Sequence, residues 1–350
     1  MSDSTTNIEF PLKEARTIVR NLAVPKAHLY WLDLFFSVSL GWGGFIFSIV
    51  LSIHPILRIL LVAISALALY RCAIFIHELA HFRKGTFRLF RIVWNMLCGF
   101  PFMLPSFIYK GVHIEHHVQT VYGTKDDGEY WPFIHESRYK IIVFPIVAFL
   151  LPLYYAVRFI VFTPLLLLSK KLRNFVWAWN SSLAIIMKYR RPDPTKEERR
   201  QWLLQEWMTA LYGIAGIVLI VLGILPVAVL LVWYCVTTIS FFLNAIRTLV
   251  AHSYRNKGES SMAVSDQFMD SVNVIGLSFL PTLWAPVGLR YHATHHLFPS
   301  MPYHALGKAH RTLLEKLPES SGYNVVNHRN LWTALSQLWR ETKATYSPSV

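Results

Sequence analysis

Charged residues and cysteines are both scarce in this sequence of 350 residues. Only 15% of the residues are charged and 54% are hydrophobic, whereas about 25% are charged in a typical soluble domain. The three cysteines, Cys72, Cys98 and Cys235, lie in apolar stretches and form no C-x-x-C pair. This excludes a disulfide framework and a zinc ribbon. The shortage of charge therefore indicates burial in a bilayer.

Acidic residues are also few, and the resulting positive charge has an informative distribution. The 34 lysines and arginines outnumber the 20 aspartates and glutamates, for a net charge of +14. A basic protein can bind nucleic acid, but here the basic residues lie beside apolar segments instead of along one polar domain. Cytoplasmic loops of membrane proteins have this pattern. We therefore predict a membrane protein that does not bind nucleic acid.

Long apolar runs predict an all-α integral membrane protein with two transmembrane helical hairpins. Runs of roughly 20 apolar residues cross the hydrocarbon as helices. The spans are predicted near 34–51, 56–76, 209–224 and 227–247. Because basic residues lie before and after the first hairpin, we expect both of its ends to face the cytoplasm.

The remaining apolar segments do not fit simple spans. Residues 87–109 are interrupted by glycine and proline and are predicted to form an interfacial or partly inserted helix. Residues 141–168 are too short for two spans, and a single span would place the basic loop after them outside. We therefore predict a re-entrant or interfacial helix pair there. The layout is one domain over 1–330, including a cytoplasmic helical cap, and a polar C-terminal tail over 331–350.

Nine of the fifteen histidines belong to a recurring pattern. It reads H-E-L-A-H at 77–81, H-I-E-H-H at 113–117 and H-A-T-H-H at 292–296, with His252 standing apart. Spacings of three or four residues place imidazoles on one helix face, and imidazole is the commonest metal ligand. The predicted topology places all nine at helix ends on one side of the membrane, as a shared metal site requires. The predicted ligands are His77, His81, His113, His116, His117, His252, His292, His295 and His296.

The number of histidines indicates which metal they bind. A catalytic zinc takes about three protein ligands, so one zinc would leave most of the set unused. Two iron ions with four or five histidines each would use all nine, and open coordination positions suit O2 activation. Glu78 and Glu115 lie inside the patterns but are expected to point off the shared helix face. We therefore predict two non-haem irons and no catalytic side chain beyond the metal ligands.

The segments H-E-L-A-H, H-I-E-H-H and Y-H-A-T-H-H-L-F-P resemble the three histidine boxes of the membrane-bound fatty acid desaturase family. The resemblance covers roughly residues 30 to 310 in order and topology. It implies a diiron centre at the cytoplasmic face beside an acyl-chain tunnel, with His252 as an additional ligand. In stearoyl-type members an asparagine four residues before that histidine reaches the metal through water, whereas this chain has Thr248. Asn244 lies on roughly the same face, so both residues are predicted to lie just outside the ligands.

Carboxylates near the histidines are expected to orient them, because a metal-bound imidazole donates its other N–H to such a group. Asp127 and Glu129 follow the second pattern, and Asp270 precedes the third. An ordinary solvated turn is an equal alternative for Asp127. Arg158 and Arg247 lie in apolar surroundings, where snorkelling is expected and contact with a lipid head group is the alternative.

The resemblance implies an O2-dependent fatty acyl (acyl-lipid) desaturase that inserts a double bond into an unactivated acyl chain. Removal of two hydrogens gives the alkene, whereas oxygen insertion at the same centre gives an alcohol. A lipid or carotenoid hydroxylase or ketolase is therefore the alternative. A zinc-dependent membrane amidase, which would use three histidines and one water, is less favoured.

The electrons for such a reaction must come from outside the chain. The sequence contains no C-x-x-C-H haem site, no ferredoxin cysteine run and no H-P-G-G segment typical of a fused cytochrome b5. The expected partners are an acyl-chain lipid, O2 and a separate ferredoxin, rubredoxin or cytochrome b5. The active site and both termini are expected on the cytoplasmic side of a multi-pass membrane protein.

Overall fold

The computed structural model describes residues 10–258, 260–276 and 279–345, and these are mostly helical. Their regular strand structure is one short parallel pair, β1 (Asn273–Val274) with β2 (Asn327–His328). The helices are α1 (Leu12–Val19), α2 (Ala27–Val50), α3 (Pro55–His81), α4 (Arg88–Trp94), α5 (Phe107–His116), α6 (Arg138–Val147), α7 (Leu151–Ala156), α8 (Thr163–Leu165), α9 (Lys170–Trp179), α10 (Lys196–Val221), α11 (Ala228–Leu249), α12 (Val264–Asp270), α13 (Leu280–Trp284), α14 (His292–Leu297), α15 (Tyr303–Lys316) and α16 (Leu331–Thr345). Shorter segments are the π-helical Asn95–Gly99 and Val157–Phe162 and the 3₁₀ turns Arg20–Leu22, Phe133–His135, Glu319–Ser321 and Tyr323–Val326.

Four helices are long and apolar enough to cross a membrane, which confirms the two predicted hairpins, α2 with α3 and α10 with α11. The helices extend beyond the apolar runs. At the start of α10 the Thr195 hydroxyl accepts from the Glu198 amide, and the Glu198 carboxylate accepts from the Thr195 amide. This capping box starts the helix well before its apolar part. Large side chains such as Leu32 and Leu231 are exposed on the hairpins, as lipid-facing residues are.

Glycines on α2 allow it to approach α3 closely. A Cβ placed on Gly41 would lie 2.5 Å from Leu69 Cγ, and one on Gly44 would lie 2.9 Å from the Leu61 carbonyl oxygen. The two backbones therefore meet where α2 has no side chain. Small residues have this role at helix interfaces in membranes, where van der Waals packing drives association.

Replacing Gly44 with alanine is expected to lower the free energy of unfolding by about 1–3 kcal/mol, because the added methyl group collides with the α3 backbone. Gly43 has open space in its Cβ direction, so Gly43→Ala is the matched control. The control is expected to be neutral or slightly stabilising, since alanine favours helix. Thermal unfolding in detergent measures both variants, and equal unfolding temperatures would contradict close packing at Gly44.

The segment predicted as an interfacial helix over 87–109 is a broken helix that is only partly exposed. It consists of α4, a π-helical turn and a bend before α5. Leu89 on α4 is exposed, but Phe102 in the bend is 1% exposed. Asn95 holds the bend, since its side chain accepts from the Ser106 amide at 2.8 Å and donates to the Ser106 hydroxyl at 3.0 Å. The second half therefore packs inside the protein, and the interfacial or partly inserted position of the segment stays a prediction.

The segment predicted as a re-entrant or interfacial pair over 141–168 is a bent helix pair. Helix α6 and the helical stretch from Leu151 to Leu165 meet at 52°. The break lies between Pro145 and Pro152, and proline removes backbone donors at such a place. The bend has the geometry of a broken span or a re-entrant loop, so the described residues include four candidate spans, or five if this pair crosses.

Arg158 does not snorkel, so its predicted position is wrong. The residue is 2% exposed and forms an ion pair with the Glu206 carboxylate of α10. It also donates to the Ser181 hydroxyl at 2.8 Å and to the Asn180 carbonyl at 3.0 Å. The apolar surroundings in the sequence gave no sign of an acidic partner on a distant helix. That partner neutralises the charge inside the protein.

Residues 331–345 are not the predicted polar tail but form α16, which packs against the body of the protein. Ala334, Leu338 and Thr342 recur at every fourth residue and are buried, because this spacing places them on one helix face. The polar residues between them conceal this face in the sequence. Residues 346–350 of the predicted tail lie outside the described residues.

Candidate metal centre

Four chain segments bring the nine predicted ligands together. The first pattern ends α3, the second ends α5, the third forms most of α14, and His252 follows α11. Seven of the nine histidines are buried, and His81 and His117 are half-buried. Their nitrogens form two groups, and within each group they lie within 4.8 Å of one another. The first group is His77, His81, His113, His117 and His295, and the second is His116, His252, His292 and His296.

The first group is held by contacts between imidazole rings. His113 Nε2 lies 2.9 Å from His81 Nε2 and 3.3 Å from His117 Nε2. His295 Nε2 lies 3.1 Å from His117 Nε2. The His77 ring lies against the His295 ring, with 4.4 Å between centroids. Three chain segments that are far apart in sequence therefore contribute to one small volume.

The second group is equally compact. His292 Nε2 lies 3.0 Å from His252 Nε2 and 3.2 Å from His296 Nε2. The His116 ring lies 5.1 Å from the rings of His252 and His296, between centroids. His252, which has no histidine neighbour in the sequence, thus joins a group as predicted.

Histidines that are adjacent in sequence belong to different groups. His116 joins the second group and His117 the first, while His296 joins the second and His295 the first. Successive residues of an α-helix point roughly 100° apart, so adjacent imidazoles aim at different points. The five-and-four division agrees with the predicted four or five histidines per ion.

Both groups have the donor chemistry that a metal ion requires. A neutral imidazole has one N–H, so a cluster of facing Nε2 atoms cannot satisfy itself by hydrogen bonds. Both ring nitrogens of His77 and the Nδ1 atoms of His292, His295 and His296 are buried without a partner among the described residues. Burial lowers the pKa of the last three well below the usual value, which keeps the rings neutral and able to ligate. The residues fit one metal ion in each group.

Asp127 lies against the second group, where the sequence predicted it. Its carboxylate is fully buried and lies 2.8 Å from His116 Nδ1. It also accepts from the amides of Gly123 at 2.8 Å and Glu129 at 2.9 Å. The chain turns here, but Asp127 is buried and not solvated as the alternative predicted. Burial opposes protonation of His116, but the Asp127 carboxylate raises the pKa of this imidazole. With a metal bound, the same contact would orient the ring.

Glu129 makes the corresponding contact in the first group, since its carboxylate lies 3.0 Å from His113 Nδ1. Asp270 contacts the site through another residue: it accepts from the Tyr122 hydroxyl at 3.3 Å, and this hydroxyl lies 2.8 Å from His252 Nδ1. Tyr122 is thus a site residue that the sequence did not predict. A single tyrosine in a loop belongs to no spacing pattern that would have revealed it.

Asn244 and Thr248 lie on α11 but form no hydrogen bond with a histidine among the described residues. The Thr248 hydroxyl donates to the Asn244 carbonyl at 2.9 Å, and the Asn244 side-chain oxygen accepts from Arg247 Nε at 3.1 Å. The Thr248 hydroxyl thus donates within its own helix, and the predicted position of Thr248 just outside the ligands stays a prediction. Asn244 instead lines a cavity that also touches His77.

This cavity of about 50 Å³ borders the first group. Helices α3 and α11 and the bend before α5 supply most of its wall, which is largely apolar. Its polar members are Tyr70, Tyr109, Ser240, Asn244, Arg247 and the predicted ligand His77. An apolar cavity with a few polar groups next to a metal centre is typical of a small-molecule site.

Comparison with known proteins agrees with this geometry. The fatty acid desaturase family model matches residues 51–327, which include all nine histidines. This chain belongs to the fatty acid desaturase family. A ceramide hydroxylase from Caulobacter vibrioides (strain NA1000 / CB15N) is 39% identical over 335 residues, covering 95% of this chain and 93% of that protein. The predicted family is confirmed, whereas the choice between double-bond formation and hydroxylation stays a prediction.

Two acids inside the histidine boxes of this desaturase-family enzyme belong to neither group of histidines, as expected. Glu78 accepts from the Tyr30 hydroxyl at 2.5 Å and from the Tyr303 amide at 3.2 Å. Glu115 accepts from the Tyr189 hydroxyl at 2.7 Å. These contacts tie α3 and α5 to neighbouring segments and hold the box histidines in place.

Replacing Asp127 with asparagine in this enzyme is expected to weaken metal binding in the second group, and with it activity, by about 10- to 100-fold. Asparagine keeps the volume but removes the charge that orients His116. Asp126→Asn is the matched control, because Asp126 is exposed. Metal analysis of the purified variants and a turnover assay give the result. Wild-type metal affinity in Asp127→Asn would show that the carboxylate serves only the turn.

Proposed function

We propose that this chain is an O2-dependent lipid hydroxylase that acts on ceramide or a closely related sphingolipid at two iron ions. The observation that carries the proposal is the pair of histidine groups beside an apolar cavity. Imidazole ligands suit iron, and nine of them exceed what one zinc takes. The substrate class is supported by similarity to a ceramide hydroxylase along 95% of this chain.

The two irons, when bound, would supply the O2 chemistry that breaks an unactivated C–H bond. The overall reaction consumes the C–H bond, one O2, two electrons and two protons, and it yields an alcohol and one water. The protein itself supplies the nine imidazoles and orients two of them through Asp127 and Glu129. The apolar wall of the cavity keeps bulk water from the lipid.

In this proposal the electrons come from a separate ferredoxin, rubredoxin or cytochrome b5, and the site faces the cytoplasm. One contact supports the placement of the end of α3 and the start of α10 on the same side of the membrane. Lys84, just after α3, pairs with Glu197 at the start of α10 at 2.7 Å. The metal-bearing end of the first hairpin and the basic start of the second therefore lie together. Basic residues of this kind face the cytoplasm.

Incubation of the purified enzyme with ceramide, a reduced electron donor and isotopically labelled O2 is expected to yield a product heavier by one labelled oxygen atom. Oxygen insertion requires the metal centre, so the His295→Ala variant is the negative control. Mass spectrometry of the extracted lipid measures the product. Absence of any oxygenated ceramide from the wild-type reaction, with two irons bound, would contradict the proposal.

Desaturation is the second candidate, because the matching family is described by that activity. It would give a product lighter by two hydrogen atoms and without the labelled oxygen. The same assay therefore separates the two reactions. Release of a free fatty acid by a protein that contains one zinc would indicate an amidase instead.

A further inference from the structure

Arg247 is a cation on the cavity wall, and its surroundings differ from those of the paired arginines. It lies in the last turn of α11 and is half-buried. Among the residues that the structure describes, no ion pair includes it. Arg158, the other arginine predicted to snorkel, is by contrast neutralised by Glu206. The charge of Arg247 thus remains available to a molecule in the cavity.

The guanidinium of Arg247 is only partly occupied by protein contacts. Its Nε donates to the Asn244 side-chain oxygen at 3.1 Å, and its Nη2 donates to the Thr248 hydroxyl at 3.2 Å. A guanidinium has five N–H donors and no acceptor, so the described residues leave three of its donors without an acceptor. A partly buried cation is stabilised when such donors meet oxygen acceptors. This end of the cavity therefore suits an oxygen atom of a ligand.

The rest of the same cavity suits an apolar chain and leads to the metal centre. Ile74, Leu104 and Phe241 contribute apolar wall, and His77 of the first group is part of the wall as well. Because Arg247 and His77 line the same cavity, a group bound by Arg247 lies in the space that borders the first group.

We propose that Arg247, held by Asn244, binds the polar oxygen of the lipid substrate and so presents to the metal centre a carbon within a few bonds of that oxygen. This inference rests on the proposed function. Ceramide carries such oxygens in its amide carbonyl and its hydroxyl groups, whereas the middle of an acyl chain has none. Arg247 is a positioning residue in this arrangement. The new hydroxyl group is therefore expected near the amide and not in the middle of the acyl chain.

The test compares Arg247→Met with Arg58→Met. Methionine keeps an unbranched side chain and removes the hydrogen-bond donors. Arg58 is the control because it is exposed near the start of α3, whereas His77 lies at the end of that helix. Displacement of a fluorescent ceramide measures binding, and fragmentation mass spectrometry locates the hydroxyl group. Arg247→Met is expected to weaken ceramide binding about 10- to 100-fold and to spread the hydroxyl group over several carbons. Arg58→Met is expected to behave as wild type.

A third variant and two controls make the result interpretable. Arg247→Lys keeps the charge but loses the planar fork, so its affinity is expected to fall between those of wild type and Arg247→Met. If Arg247→Met does not fold, the ceramide affinity of Arg247→Lys is compared with that of wild type instead. Metal content and unfolding temperature are measured for every variant, since a positioning residue changes neither metal content nor the ligands.

Wild-type ceramide affinity in a folded Arg247→Met protein would overturn the inference, and so would a wild-type product hydroxylated in the middle of the acyl chain. The proposed function fails separately. If ceramide binds through Arg247 but no oxygenated product forms, the anchoring role stands and the hydroxylase proposal falls.

Discussion

Replacing His295 with alanine is expected to abolish turnover and to reduce the bound metal from two ions to one per chain. His295 belongs to the first group, so the second group keeps all four of its histidines. His292→Ala is the reciprocal variant and is expected to empty the second group while the first remains filled. Each loss of activity is expected to exceed the roughly 10- to 100-fold cost of removing an outer partner of a metal ligand.

The control for these variants is His28→Ala, because His28 is exposed and lies outside both groups. Metal is counted by mass spectrometry of the purified protein, and turnover by the lipid assay. The two-group arrangement predicts that His295→Ala and His292→Ala retain one ion each. Retention of both ions by either variant, or loss of both ions from each of them, would contradict two separate sites.

Removing one member of the buried pair Arg158–Glu206 is expected to lower the free energy of unfolding by about 3–5 kcal/mol, because the remaining charge stays buried without a partner. Glu206→Gln keeps the volume and isolates the Arg158 charge. Trp177 Nε1 also donates to this carboxylate at 3.2 Å, so α9 is expected to loosen with it. Thermal unfolding in detergent measures the effect.

Two further variants test whether the unpaired charge is the cause. Replacing both members by methionine removes both charges and is expected to recover most of the lost stability, since an apolar pair of similar volume is often neutral or stabilising. Glu197→Gln breaks the exposed pair with Lys84 and is expected to leave the unfolding temperature unchanged. If the double variant is no more stable than Glu206→Gln, packing and not charge explains the loss.

The clustering of the nine histidines was predictable because its signal is local. Histidines three or four residues apart share a helix face in any fold. The spacing within the boxes therefore predicts candidate ligands without knowledge of the packing. The division between the groups was not predictable residue by residue. Helix geometry makes adjacent histidines such as His116 and His117 point in different directions, but which group each one joins depends on where α5 and α14 lie relative to the other segments.

The membrane layout shows the same limit. Apolar runs are local, so both hairpins were predicted. The polar ends of the helices were not predicted, because the helices continue past the apolar residues. Within the predicted tail over 331–350, residues 331–345 form α16, which the sequence did not reveal because its buried face is narrow, with Ala334 and Leu338 separated by polar residues. An amphipathic face of this kind is recognised by what it packs against.

The sequence by itself determined that this protein is helical, membrane-embedded and rich in histidines placed to bind metal, because composition and helical periodicity are properties of short stretches of chain. Tertiary structure decided what those stretches meet. It paired Arg158 with Glu206, joined Tyr122 to His252, and left Arg247 facing the cavity beside His77. Each of these outcomes depends on contacts between segments far apart in the chain, and local patterns do not report which distant partner neutralises a buried charge.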